Sequence, residues 1–269
     1  MPGRPATAGS PRRWSVWIDG AHSGAVNMAR DHALADSLRS DSAVLRFYSW
    51  ARPTVSLGRN EPGRGLWDSQ RLAVEGVELV RRPTGGRAVL HHRELTYSVV
   101  VPAEGPGSMR ALYRSVNEAI LVGLTRLGVP ASLAPRQGRP GSPSAGPCFH
   151  EPAEGEIVVG RRKLVGSAQV RLGHALLQHG SILVEDEQDR LPLLQRVPQA
   201  PGADVAVTCL TDWVDTLPEM VSLANTLAAA FSEVIPGDWH AVEGGPNLNE
   251  ALESRLEAHY RSPEWTWRR

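Results

Sequence analysis

The stretch GRRKLVGSAQVRLGHALLQHGS, residues 160–181, mixes branched aliphatic residues with polar ones in strand-like runs and carries glycines at 160 and 173. Glycine between two such runs is a turn signal, so the stretch predicts successive antiparallel strands. EIVV (156–159) precedes it and the run ALLQHGSILVE (175–185) completes it, which extends the reading to a meander. Working back, VELVRR (77–82) leads into the turn PTGG, and RAVLHH (87–92) and LTYSVVV (95–101) read as two further strands. AVLRFYSW (43–50) and TVSLG (54–58) are short β-favouring runs parted by Pro53, and large apolar residues at 14, 16 and 18 suit a half-buried strand.

Helical spacing appears on both sides of these strands. Val26, Ala29, Ala33 and Leu34 make one apolar stripe through NMARDHALADSL, whose charged residues are expected on the outer face. A second helix is expected from Trp67 to Val74, and residues 108–128 form the clearest amphipathic helix, with Leu112, Val116, Ala119, Ile120, Gly123 and Leu127 in phase. Met220, Leu223, Leu227, Phe231 and Val234 mark another, and Asn247 with Glu250 offers a capping-box start for a helix carrying Leu248, Leu252 and Leu256. This order predicts a single α/β (α+β) domain over residues 14–269, built on a mixed, largely antiparallel sheet flanked by helices. Neither G-x-G-x-x-G nor a P-loop pattern occurs.

Composition removes several classes of function. Lys+Arg and Asp+Glu are balanced at 29 each, so no net field exists to hold nucleic acid. Hydrophobic residues at 41% and charged residues at 22% are those of a globular chain, and no apolar run approaches the roughly 18 residues of a membrane span. The first 13 residues, MPGRPATAGSPRR, are rich in Pro, Gly and Arg without the apolar core of a signal peptide, and are expected to be a disordered tail on a cytoplasmic protein. Of the two cysteines, Cys209 lies in the apolar run VAVTCL and reads as a small core residue. Cys148 instead follows PRQGRPGSPSAGP, a stretch with no packable face, so residues 131–147 are expected to be a mobile loop.

Three segments interrupt strand patterns with glycines and polar residues: RRPTGGRAVLHHRELTYS (81–98), GPCFHEP (146–152) and the opening stretch. Gly85-Gly86 taken alone reads as a hairpin turn. Together with NMARDHAL and LRFYSWARPTVSLGRN, the three resemble the superfamily of lipoate ligases, octanoyltransferases and biotin ligases, most closely its cysteine-dependent octanoyltransferase branch. The resemblance covers roughly residues 20–185, with a weaker echo in YRSPEW (260–265).

That resemblance implies a nucleophile and an activator: Cys148 to carry the acyl group and Lys163, fifteen residues on, to favour its thiolate. An ordinary thiol, with a pKa near ~8.5, is mostly protonated at neutral pH, and a neighbouring ammonium stabilises the reactive anion. Thr84, Gly85, Gly86 and Arg87 are implied to line an acyl channel, where glycine permits close backbone approach. Arg82 and His91 are candidates to meet the carbonyl or a phosphopantetheine arm, with a surface arginine and a structural histidine as the alternatives. Gly166, Ser167, Ala168, Gln169, His179 and Gly180 are implied pocket positions.

The implied reaction needs no cofactor and no metal: octanoyl-acyl carrier protein is the donor, a lysine of a lipoyl-domain protein such as glycine cleavage H protein the acceptor, and the enzyme a monomer. Arg87 stands where many ATP-using lipoate ligases have a third glycine, which favours transfer over ligation, and His92 replaces a common aspartate. An ATP-dependent ligase, an amidotransferase between lipoyl domains and a noncatalytic carrier-binding module remain as rivals. A zinc site from Cys148, His150, His91 and His92 has suitable residue types but no repeated metal-pair spacing.

Overall fold

A computed structural model describes residues 12–105, 107–135, 155–197 and 207–269. Strand β1 (Arg13–His22) is followed by helix α1 (Gly24–Asp36), which returns the chain to β2 (Ser42–Trp50), parallel to β1. A parallel pair needs such a crossover. The motif repeats on a smaller scale: β3 (Thr54–Leu57), α2 (Ser69–Val74) and β4 (Glu78–Arg81), again with β3 and β4 parallel. Then come β5 (Val89–His91), β6 (Glu94–Pro102), α3 (Ser108–Arg126), β7 (Ser132–Leu133), β8 (Ile157–Val159), β9 (Arg162–Leu172) and β10 (Ala175–Leu183). Two short 3-10 turns lead to α4 (Met220–Val234), β11 (Asp238–Ala241), α5 (Glu250–Arg261) and α6 (Pro263–Thr266).

Among the described residues the strands form an eight-stranded sheet, ordered β11-β1-β2-β6-β10-β9-β8-β7, and a three-stranded sheet, β4-β3-β5. In the large sheet β1 runs parallel to β2 and to β11, and the remaining pairings are antiparallel. The mixed, largely antiparallel α+β expectation therefore holds. The meander of β8, β9 and β10 turns at Gly160 and Gly173, whose φ values of 61° and 53° suit glycine.

The large sheet separates two packed layers. Leu95, Tyr97, Val99 and Val101 of β6 pack against α3 and α4 in the main core. Those helices approach closely because Gly123 has no side chain: a Cβ there would lie 2.6 Å from Leu227 Cδ2. The alternate residues Thr96 and Ser98 face the other way, toward α1, which α5 covers in turn. The small sheet has its own apolar cluster, with Val55, Leu57 and Leu90 against Trp67 and Leu72.

Some expectations shift. Arg12 and Arg13 are tied into the sheet, Arg13 pairing with both Asp238 and Ser42, so the tail does not extend to residue 13; residues 1–11 lie outside the described ones. Ser132 and Leu133 pair with β8, so the loop expected at 131–147 begins as a strand; its residues 136–147 lie outside the described ones. Helix α5 is capped by Asn249, whose side chain accepts from Leu252 N, not by Asn247. That register places Glu250 and Glu253 in the first turn, where the helix dipole favours acids. Gly85-Gly86 is not a hairpin turn, because β4 and β5 lie on opposite sides of β3 and do not pair with each other.

Candidate active site

A cavity opens where the small sheet meets the α1 face of the large one. Met28, Tyr48, Trp50 and Val89 give it apolar walls. Of the residues implied by the sequence, Arg82, Gly86 and His91 line it from one side and Gly166, Ser167, Ala168, His179 and Gly180 from the other. The structure thus joins the segments 81–98 and 160–181 around one space. Thr84 stands behind the wall, bonded to His179. Gln169 bonds to Gln178 and to the Met109 carbonyl outside the cavity. Gly85, Arg87 and Lys163 are not among the lining residues. Lys163 lies on β9, three residues before Gly166, and is fully buried; its Nζ donates to Glu156 Oε1 at 2.8 Å. It is not a solvated strand lysine. Cys148 and His150 lie outside the described residues.

The TGG turn is held by close packing and one guanidinium. Arg82 is buried rather than at the surface, and donates to the carbonyls of Ser56, Gly85 and Arg87. Gly58 lets the preceding loop lie on the turn, since a Cβ at 58 would come within 1.9 Å of the Gly86 carbonyl oxygen. Gly86, at φ 95°, lies in the left-handed region. On the opposite wall Gly180 leaves room for Tyr97, whose hydroxyl would sit 2.9 Å from a Cβ there.

Two polar arrays back the cavity. In the first, His91 Nδ1 lies 2.8 Å from Glu94 Oε1 and Nε2 lies 2.7 Å from Ser56 Oγ. An ionised carboxylate only accepts, so Nδ1 carries a proton and donates to Glu94, and Nε2 can accept from Ser56 whenever it carries none. Trp50 stacks on the imidazole at 4.1 Å. In the second, His179 Nδ1 meets Asp31 Oδ2 at 3.2 Å and Nε2 meets Thr84 Oγ1 at 2.7 Å. Asp31 is fully buried, contrary to the expectation that the charges of α1 face outward. Its countercharge is Arg46 of β2, fully buried too, with Nη1 at 2.8 Å. Arg46 also binds Asp19, and Asn27 accepts from it.

Burial raises the Asp31 carboxyl, but His179, Arg46 and Ser98 outweigh that and hold it below the usual carboxylate range. Burial also dominates at His179 and pushes it below an ordinary histidine despite Asp31. His179 is thus neutral when folded and gains a proton more readily when unfolded. Its contribution to stability is present above the ordinary histidine value near ~6.5 and is lost as pH falls below it. The urea midpoint should decline from about pH 6.5 downward, and less steeply in His179→Gln. Burial lowers His32 and His259 as well, so the slope should shrink without vanishing. An unchanged slope in the variant would refute the neutral assignment.

Sequence reasoning missed Met28, Tyr48, Trp50, Ser56, Thr96 and Ser181 on the wall, and Asp31 and Glu94 behind it. The one available signal was Arg46, a charged residue inside the otherwise apolar run AVLRFYSW. Cys209 is buried as expected, beside Val207 and Leu183. His91 and His92 are engaged by Glu94 and Glu187, and no metal-holding group of three acids, histidines or cysteines occurs among the described residues.

Residues 23–232 match the model of the lipoyl protein ligase A/B catalytic domain, and the chain belongs to that family. Among its relatives is the octanoyltransferase LipM of Kyrpidia tusciae, 36% identical over 95% of this chain and 99% of that protein. Octanoyltransferase LipM of Carboxydothermus hydrogenoformans is 35% identical over 91% and 95% of the two chains. Solved structures with the same fold include lipoate-protein ligase A bound with ATP, at a TM-score of 0.73 and 26% identity over 96% of this chain and 98% of that one. Another comes from a bi-partite lipoate protein ligase and its E2 lipoyl domain from Thermoplasma acidophilum, at a TM-score of 0.72 and 25% identity over 95% and 96%.

Proposed function

We propose that this chain is an octanoyltransferase of lipoate biosynthesis that moves the acyl group through a thioester on Cys148. The observation that carries this reading is the near-full-length likeness to proteins named octanoyltransferase LipM. The cavity supports it: Met28, Trp50 and Val89 offer an apolar lining, and each methylene removed from water contributes about 0.8 kcal/mol to binding. Octanoyl-acyl carrier protein is the donor. A lysine of a lipoyl domain, such as that of glycine cleavage H protein, is the acceptor, and the enzyme acts as a monomer in the cytoplasm. No helix among the described residues is long and apolar enough to cross a membrane.

In this reading the Cys148 thiolate attacks the donor thioester, the carrier thiol leaves, and the acceptor amine opens the acyl-enzyme to an amide. Lys163, a buried cation, favours the thiolate and polarises the carbonyl. Intact-mass measurement of the purified chain mixed with octanoyl-acyl carrier protein should show one octanoyl adduct, absent from Cys148→Ala. An adduct that persists in the variant would overturn the assignment.

The fold shared with an ATP-bound ligase motivates a second reading, direct ligation through an acyl-adenylate. Pyrophosphate release from ATP with free octanoate or lipoate would support that alternative, and carrier-dependent transfer without ATP would exclude it.

A further inference from the structure

Aminolysis of a thioester needs a group to take a proton from the amine, a step that the roles proposed for Cys148 and Lys163 leave without a base. The two arrays behind the cavity share a polarity, hydroxyl to imidazole to carboxylate, but differ in their charge balance. Asp31 already has Arg46 as a buried counterion, so a proton on His179 would add a second cation to a satisfied pair. Its hydroxyl partner, Thr84, does not line the cavity.

Glu94 is different. Its Oε1 accepts from His91 Nδ1, from the hydroxyls of Thr96 and Ser181 at 2.6 Å each, and from Trp50 Nε1 at 3.1 Å. None of these four donors is a permanent cation. The residue is 1% exposed, and its Oε2 has no hydrogen-bond partner. Burial raises this carboxyl, yet His91, Ser181 and Thr96 bring it below the ordinary range, so it is an anion. Among the described residues, the cation able to pair with Glu94 directly is a protonated His91. Ser56, in turn, lines the cavity; Arg82 Nη1 donates to its oxygen at 3.0 Å, and that oxygen lies 2.7 Å from His91 Nε2. A hydroxyl oxygen has two lone pairs, and Arg82 takes one.

We infer that Ser56, His91 and Glu94 form the proton relay for the second half-reaction, with Ser56 receiving a proton from the attacking amine and His91 storing it beside Glu94. This rests on the acyl-transfer reading above. The neutral amine adds to the thioester carbonyl and a C–N bond forms. An N–H proton passes to Ser56 Oγ as the proton of Ser56 passes to His91 Nε2. When the C–S bond breaks, its electron pair leaves on sulfur, and His91 returns the proton through Ser56 to the thiol. Trp50 stacked on the imidazole and Ser181 at 3.2 Å from Nδ1 hold the ring in place. The charged or titratable groups around His91 are Glu94, Arg82 through Ser56, and His179 across the cavity.

The test separates the two half-reactions of the full chain. Acyl-enzyme formation is followed by intact mass with octanoyl-acyl carrier protein, and its consumption by adding a purified lipoyl-domain protein. His91→Gln, which also alters the cavity wall, should slow consumption of the adduct at least about tenfold more than its formation. It should consume the adduct about 10²–10³-fold more slowly at pH 7, and the deficit should narrow toward pH 9, where solvent base replaces the relay. Ser56→Ala, a smaller change to the wall, should show the same split, and Glu94→Gln a milder one. Equal slowing of both steps, or a deficit independent of pH, would overturn the relay. A wild-type chain that forms no adduct would instead remove the acyl-transfer reading, which is a separate outcome.

Discussion

Asp31→Ala is expected to cost about 3–5 kcal/mol of folding free energy, because it strips one anion from a buried pair and leaves the cation behind. Asp31 and Arg46 are both wholly buried and 2.8 Å apart. The same carboxylate also accepts from Ser98 at 2.7 Å and Tyr48 at 3.0 Å, so four donors lose their acceptor together. Arg46 keeps Asp19 and Asn27, which places the cost nearer to that of one broken pair than to that of an isolated charge. Asp41→Ala is the control: it removes the exposed pair with Arg39 and should shift stability by less than about 0.5 kcal/mol. Urea midpoints at constant m-value measure both. A loss at Asp31 no larger than at Asp41 would show that the pair does not hold α1 to the sheet.

Lys163→Met should lower acyl-enzyme formation by about 10²–10³-fold, the usual scale for removing one preorganised charge from a developing anion. The substitution also takes a cation from Glu156, itself 8% exposed, so a fall in activity could come from folding alone. The pair Lys163→Met with Glu156→Gln separates the causes. Replacing both members of a buried pair is often near neutral for stability, whereas removing one is costly. The double variant should therefore recover its urea midpoint and remain slow to acylate. Recovery of the acylation rate as well would assign Lys163 to structure and not to chemistry.

Much of this fold was legible because its periodic elements are local. The apolar positions of α3 and the strands on either side of Gly160 and Gly173 follow from spacing alone. Strand β11 did not, since Asp238–Ala241 is short and mostly exposed and has no alternation to betray it; its pairing with β1 joins residues more than 200 apart. The three-stranded sheet escaped for a related reason: Gly85-Gly86 looks like a hairpin until β3 is known to lie between the strands it links. At the site, Arg82, Gly86, His91, His179 and Gly180 were reached through glycine-broken strands and a family likeness. Asp31 was not. An aspartate on an amphipathic helix reads as solvent-facing unless its counterion is known, and Arg46 reaches it only through the β1-α1-β2 crossover.

The wall that carries Ser56 and the TGG turn is completed from far along the chain. Arg81 donates to the carbonyls of Trp265 and Thr266 as well as to those of Gly58 and Glu61, Trp265 Nε1 returns a bond to the Arg81 carbonyl, and Gly63 and Arg64 donate to the Arg269 carbonyl. The strand that ends at Arg81 is thus tied to Trp265, 184 positions further along the chain, so this wall of the cavity is completed only by contacts of high sequence separation, the kind that form late because loop closure precedes them.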